Sequence, residues 1–352
     1  MNSDAILGCL LGTAVGDSIG LPYEGLSPRR AALLLGAPVR QRFLWGRGMV
    51  SDDTEHTCLV AQSLIEAAGD PQEFQLALAR RLRWWLLGMP AGIGLATLRA
   101  TLRLWFGYSP ERSGVFSAGN GPAMRSALLG VVCEDSRQIA QWVRISTRLT
   151  HTDPRAEQGA LAVALAAHYA ARWGLTDPDA ALRHMQPALT GASDELRQNL
   201  QKAVDSVRDA ESTPAFANSL GLARGVTGYV NHTIPVALQA CWTHPRDVRG
   251  AVMAVVCCGG DTDTTAAIAG AIVGTAVGES GIPQDWLTTL VDWPRSVTWI
   301  RQLGISLAQR EDSDRRIVYP VVPPAGVLLR NILFAIIVLA HGFRRLGPPY
   351  VG

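Results

Sequence analysis

Two short acidic stretches hold the side chains best placed to do chemistry. One is Ser51-Asp52-Asp53-Thr54-Glu55, and the other is Gly259-Gly260-Asp261-Thr262-Asp263-Thr264-Thr265. Each stands directly before a run of helical character. A helix start offers one capping position, and acids in the first turn gain from the positive end of the dipole. Ser51 or Asp52 as cap, with acids in the first turn, accounts well for the first stretch taken alone. In the second stretch a well-capped buried helix accounts for one carboxylate. The other is left in an apolar setting, where an unpaired charge is costly. A hard cation such as Mg²⁺, Mn²⁺ or Ca²⁺ removes that cost, because carboxylate and hydroxyl oxygens are its ligands. Together Ser51, Asp52, Asp53, Asp261, Asp263 and Thr264 supply oxygens enough for two such ions. At this level an elaborate cap and a metal site both stay open.

Three further stretches carry possible site chemistry. Gly16-Asp17-Ser18-Ile19-Gly20 is followed four residues on by Glu24. Asp17 reads as a structural acid bonding nearby backbone. Glu24 falls in a loop where an acid has no structural duty, which makes it the candidate general base. Ser117-Ala118-Gly119-Asn120-Gly121-Pro122 is a glycine-rich loop opening a helix. Backbone N–H groups at such a junction suit a phosphate, although the same residues make an ordinary turn. His151-Thr152-Asp153-Pro154 marks another turn, whose histidine is either a hydrogen-bonded turn residue or a site residue.

The elements that must position these residues are helical. Period-2 runs of β-branched residues are scarce, while apolar residues recur at three and four throughout. Helices are expected over residues 5–15, 54–68, 72–87, 95–106, 123–132, 136–149, 155–173, 179–189, 193–210, 235–242, 247–258 and 265–277. Residues 25–48 read as an irregular loop. Gly8, Gly12, Gly16 and Gly20 repeat every four residues, as do Gly270, Gly274 and Gly278. Each costs about 1 kcal/mol against Ala inside a helix, so these two helices are expected to touch through their glycine faces.

The 352 residues show no internal repeat and no linker composition, so one all-α domain spanning 1–352 is expected. Residues 281–352 would be a C-terminal helical extension of unassigned role. With 48% hydrophobic and 18% charged residues the chain is globular, and a net charge of +2 gives no hint of nucleic acid or an anionic membrane as partner. Six cysteines without a CxxC pair read as buried thiols of a reducing compartment. The N-terminus lacks a basic region before its apolar run, so export is not expected and the cytoplasm is the default. The clean apolar run 332–340 is short of the ~20 residues of a membrane span. It reads as a core or interface helix. Nothing here fixes the oligomeric state.

In order and spacing, five motifs resemble those of the ADP-ribosylglycohydrolase family. They are Gly12-x3-Gly16-Asp17-x2-Gly20-x3-Glu24, Ser51-Asp-Asp-Thr54, Gly119-Asn-Gly-x-Ala-Met-Arg125, Thr150-His-x-Asp-Pro154 and Gly259-Gly-Asp-Thr-Asp-Thr264. The resemblance covers roughly residues 5 to 280. It implies an orthogonal helical bundle with two Mg²⁺ (Mn²⁺ as the substitute) in a central cleft, on Ser51, Asp52, Asp53, Asp261, Asp263 and Thr264. It also implies that Ser117 and Gly119-Asn120-Gly121 hold the diphosphate and nearby ribose, with His151 lining the cleft. The implied reaction is Mg-dependent release of ADP-ribose from protein side chains or related conjugates, with Glu24 or Asp53 as general base. Two alternatives stand beside it: hydrolysis of another small ADP-ribosyl or N-glycoside metabolite, and a non-catalytic ADP-ribose-binding or structural descendant. Some arginine-directed members carry an extra acid in the loop after the third helix. Here that loop reads Met89-Pro90-Ala91-Gly92-Ile93-Gly94, which puts arginine specificity in doubt without arguing for another linkage.

Overall fold

The computed structural model describes residues 2–43, 45–312 and 318–347. Helices α1 Ser3–Gly20, α2 Pro28–Leu35, α3 Asp52–Ala67, α4 Pro71–Leu87 and α5 Leu95–Trp105 form the first third. They are followed by α6 Ala127–Val132, α7 Ser136–Arg148, α8 Pro154–Trp173, α9 Pro178–Met185, α10 Asp194–Arg208 and α11 Thr213–Ser219. The last part holds α12 Val230–Thr243, α13 Val248–Val256, α14 Thr262–Val277, α15 Gln284–Thr289, α16 Val297–Ala308 and α17 Pro324–Arg344. Among the described residues no strand forms. Isolated bridges such as Val115 to His151 and Val226 to Gly260 tie loops together instead.

Helices α1 and α14 form the centre, apolar on nearly every side as a fully enclosed helix must be. They run antiparallel through the glycine faces that the spacing predicts. A Cβ built on Gly8, Gly12, Gly16 or Gly20 would lie 2.0 to 2.3 Å from a carbonyl oxygen of Gly274, Gly270, Ala266 or Thr262 respectively. No side chain fits there, so the backbones approach as closely as backbones can. Helices α8, α12 and α13 pack on α14, while α3 and α16 pack on α1. One apolar cluster runs from Ala5 to Leu307.

Three differences from the sequence expectation have local causes. Residues 28–35 form a helix, α2, inside the stretch read as irregular: Pro28 takes the first turn, and Ala31, Leu34 and Leu35 are buried at helical spacing. Pro235 does not start α12 but sits inside it. A proline there leaves the carbonyl four residues earlier without its helical donor, and Asn199 Nδ2 donates to that carbonyl of Asn231 at 3.3 Å. The third concerns α17, which is no core helix. Its inward side carries Arg330, Asn331 and His341, and its outward side is apolar.

The polar side of α17 is bonded to the body along its length. Arg330 donates to Asp292 and to the Val50 carbonyl, while Asp292 accepts from the Val50 N–H at 3.0 Å. Asn331 Nδ2 donates to Gly88 O at 2.8 Å. The His341 Nε2–H donates to Pro22 O at 2.9 Å, and Arg345 donates to the Glu24 carbonyl at 2.8 Å. Burial pulls the His341 imidazole down to about 4, so it is neutral. The helix thus holds both the loop bearing Glu24 and the extended entry to α3.

Glu55, the last acid of the first stretch, points away from the cleft. Its carboxylate is buried against Arg295 at 2.6 Å and accepts from Trp85 Nε1 at 2.6 Å. Removing Arg295 leaves the buried Glu55 carboxylate the more distant Arg330 at 3.8 Å as its cation, and loss of one partner of a buried pair costs about 3–5 kcal/mol. Arg295→Met is therefore expected to lower the urea midpoint steeply with an unchanged slope. A midpoint within error of the parent would show that the pair contributes nothing.

Candidate active site

The cleft is built where the starts of α3 and α14 meet the end of α1. Asp17, on the last turn of α1, reaches across to α3 and accepts from the Ser51 N–H at 2.8 Å and the Thr54 N–H at 3.1 Å. It is the structural acid that its position in the sequence suggests. Burial pushes its carboxyl up to about 6, although those donors oppose the shift. Ser51 is the N-cap of α3 and accepts from the Asp53 N–H. With capping done by Ser51 and Asp17, the carboxylates of Asp52 and Asp53 are left for other work.

The second stretch shows the same surplus. Asp261 occupies the N-cap position of α14, yet its carboxylate caps nothing. It accepts instead from Asn120 Nδ2 at 2.7 Å. Asp53 Oδ2 accepts from Ser51 Oγ at 3.0 Å and from Thr264 Oγ1 at 3.3 Å, a bond that joins the two acidic stretches across 211 residues. Asp53 Oδ1 and Asp263 Oδ1 are buried without a hydrogen-bond partner. Burial first, and then neighbouring carboxylates, hold Asp52, Asp53 and Asp263 well above the ordinary range. For Asp52 and Asp53 the foremost neighbour is Asp17, and for Asp263 it is Glu24.

These groups share a cleft of about 340 Å³ lined by Glu24, Asp52, Asp261, Asp263 and Thr264 together with Ser117, Gly119, Asn120, Gly121 and His151. Glu24 sits on the exposed rim with its carboxyl over the cleft, where desolvation and then the charge of Asp261 raise its pKa. His151 is pulled down to about 3 by burial and by Arg125, so it presents a neutral ring. The glycines of the 119–121 loop have a specific reason: a Cβ on either Gly119 or Gly121 would stand 3.2 Å from the His151 ring. Two amides expected to face a phosphate are spent inside the protein. The Gly119 N–H donates to Ser117 Oγ, and the Asn120 N–H donates to Gly228 O.

Several residues with a part in the cleft carry no clear signal in the sequence. Thr233 accepts from Asn120 at 3.0 Å and so orients the amide that holds Asp261. Gly228 and the 92–97 turn form rim. Arg125, the last residue of the third motif, is wholly buried and donates to Ser146 and Thr150, fixing the turn that carries His151. The Gly-x-x-Gly at 225–228 is a readable signal for a close approach, and Gly225 indeed abuts the Gly260 backbone.

The donor set fits a hard cation. All the groups are oxygens, two are buried without partners, and the carboxylates raise one another's pKa. Among the described residues no three His, Cys, Asp or Glu side chains close into a cage by themselves. A cation here would draw on the hydroxyls of Ser51 and Thr264 as well. A larger cavity of about 620 Å³ lies between α3, α4 and the start of α17, but its one carboxylate, Glu66, is paired with Arg81 at 2.6 Å. It offers no comparable chemistry.

The chain belongs to the ADP-ribosylglycohydrolase family, whose model matches residues 2–316. Helices α15 and α16 lie inside that match, and α17 lies beyond it. An uncharacterised protein of Archaeoglobus fulgidus is 34% identical over 295 residues, covering 81% of this chain and 90% of its own length. The ADP-ribosyl-[dinitrogen reductase] glycohydrolase of Rhodospirillum rubrum is 26% identical over 303 residues, covering 82% and 90%. A solved structure of an ADP-ribosylglycohydrolase-related protein complex superposes with a TM-score of 0.65 at 27% identity, covering 88% of this chain and 98% of its own. The protein is thus an enzyme of the class that hydrolyses ADP-ribose conjugates.

Proposed function

We propose that the cleft releases ADP-ribose from a modified protein side chain with two divalent cations, Mg²⁺ first and Mn²⁺ as substitute. The observation that carries this reading is the Asp53–Thr264 bond, which brings two over-supplied helix starts together beside Glu24. Ser51, Asp52, Asp53, Asp261, Asp263 and Thr264 would hold the cations. When bound, these would supply Lewis-acid polarisation and orient vicinal ribose hydroxyls. Ser117 and Gly121 bind the diphosphate side, with Gly119 and Asn120 shaping the loop through amides already spent inside the protein, and His151 closes the wall. A water oxygen attacks the anomeric carbon as its bond to the side chain breaks. Glu24 takes the proton of that water and passes the same proton to the departing side-chain atom, so that Glu24 ends as the carboxylate and the side chain leaves protonated.

The acceptor side favours an uncharged linkage such as seryl over a guanidinium. The segment 92–97, which runs into the first turn of α5, contributes Gly92, Gly94, Leu95, Ala96 and Thr97 to the lining and no carboxylate of its own, while the cleft's acids are Glu24 and the cation set. A panel of Arg-, Ser- and Asp/Glu-linked ADP-ribosyl peptides, assayed with Mg²⁺ and with chelator, tests both statements. Release from the Ser-linked peptide that stops with chelator is expected. Release unaffected by chelator sinks the cation reading, and preference for the Arg-linked peptide sinks the acceptor reading.

The cation set has its own readout. Asp261→Asn and Asp263→Asn are each expected to weaken Mn²⁺ binding by calorimetry at least about tenfold, since each removes a charged ligand. Extra Mg²⁺ should partly restore turnover. Parent-like calorimetric titrations of both variants would remove these aspartates from the ligand set.

A further inference from the structure

We propose that α17 seats the protein on an anionic lipid surface, lying along that surface through its outer face. The carrying observation is that the helix is inside-out for water. Its exposed positions include Leu329, Ile332, Leu333, Ile336, Leu339 and Phe343, the last 73% exposed, while its buried positions include Arg330, Asn331 and His341. Both α1 and α17 are long and apolar enough to cross a membrane, yet 94% of the α1 stretch is buried against 33% for α17. An apolar stripe along a helix about 31 Å long, at 1.5 Å per residue, is a patch that soluble surfaces rarely leave open.

The helix lies on the surface and does not span it. Spanning would tear Arg330 from Asp292 and Val50, Asn331 from Gly88 and His341 from Pro22, and would carry those polar groups into hydrocarbon. With its polar side already satisfied by the protein, α17 has only its apolar side to offer. That is the geometry of an interfacial helix. The turn at Trp45 and Gly46, bridged by Phe43 and Arg47, stands beside it: Phe43 meets the His341 ring edge-on at 4.9 Å and shares a small cluster with Phe334. Trp45 on that turn is 99% exposed between Arg42 and Arg47. An indole amid arginines is the composition of a headgroup layer contact.

Charge decides between lipid and a second copy of the chain. Residues 25–50 hold five arginines and no Asp or Glu, Arg47 among them exposed beside Trp45, and Arg344 is exposed in the last turn of α17, whereas Arg330 is already spent on Asp292. A two-fold pairing of α17 faces would set the same arginines of both copies against each other, whereas anionic headgroups neutralise them. The net charge of +2 gives no hint of such a partner because it averages over this local imbalance.

The test is flotation of the purified full-length chain with vesicles of phosphatidylcholine alone and of phosphatidylcholine with phosphatidylglycerol. Comigration with the mixed vesicles only is expected, weakened in 1 M salt, where the screening length falls to about 3 Å. The double variant Leu333→Glu, Ile336→Glu should reduce comigration by more than about tenfold, the worth of two exposed aliphatic side chains. Its melting temperature and its release of ADP-ribose should match the parent. No comigration of the parent overturns the proposal, as does comigration that the double variant leaves intact. Light scattering that shows a dimer dissociated by the same substitutions, without vesicle binding, gives the face to a second copy instead.

Discussion

Glu24→Gln is expected to lower kcat by about 10²- to 10⁴-fold, the usual worth of a positioned acid or base, while ADP-ribose affinity stays near that of the parent. The side chain lines the cleft without belonging to the carboxylate–hydroxyl set at the two helix starts. Glutamine keeps the size and the polar contact but cannot take a proton. The loop itself should be undisturbed, because its anchors are backbone carbonyls: Pro22 O bonded by His341, and Glu24 O bonded by Arg345. The rival base is Asp53, whose Oδ1 is buried without a partner. If Asp53 takes the proton, Glu24→Gln raises KM and largely spares kcat, as loss of uniform binding does. Single-turnover hydrolysis at saturating Mg²⁺ separates the two. A rate within a few-fold of the parent removes Glu24 from proton transfer.

Gly12→Leu is expected to leave no soluble folded protein. A Cβ alone at this position would stand 2.1 Å from Gly270 O, a backbone atom that no rotamer change can move. Overpacking usually costs about 1–3 kcal/mol where side chains can yield. Here the two central helices would have to part, and with them Asp17 and Asp263, which stand on facing ends of the same contact. Gly342→Ala is the matched control. Gly342 lies in α17, and an added methyl there would meet nothing within 4 Å, so the same kind of change should stabilise by up to about 1 kcal/mol. Soluble yield and the urea midpoint of both variants give the answer. Normal expression and melting of Gly12→Leu would mean that the glycine faces do not meet.

Much of this protein was readable in its residues because the readable signals are local or periodic. Glycines every four residues in two apolar helices specify close backbone contact, and the α1–α14 pair follows from them. Two helix starts with more carboxylates than capping can use point to one cleft, and Thr264 and Asp53 meet there. Other features rest on partners far apart in the chain, which no local pattern encodes. Asp17 capping α3, Asn120 turning to Asp261, and Asn199 covering the carbonyl freed by Pro235 are of this kind. Glu55 looks like part of the acidic site in the sequence, and only the fold sets Arg295 behind it. The same holds for α17. Its apolar residues are plain in the sequence, but composition cannot say which side of a helix meets the protein. The buried bonds of Arg330, Asn331 and His341 decided that, because a polar group removed from water must find a partner, and theirs lay on the body.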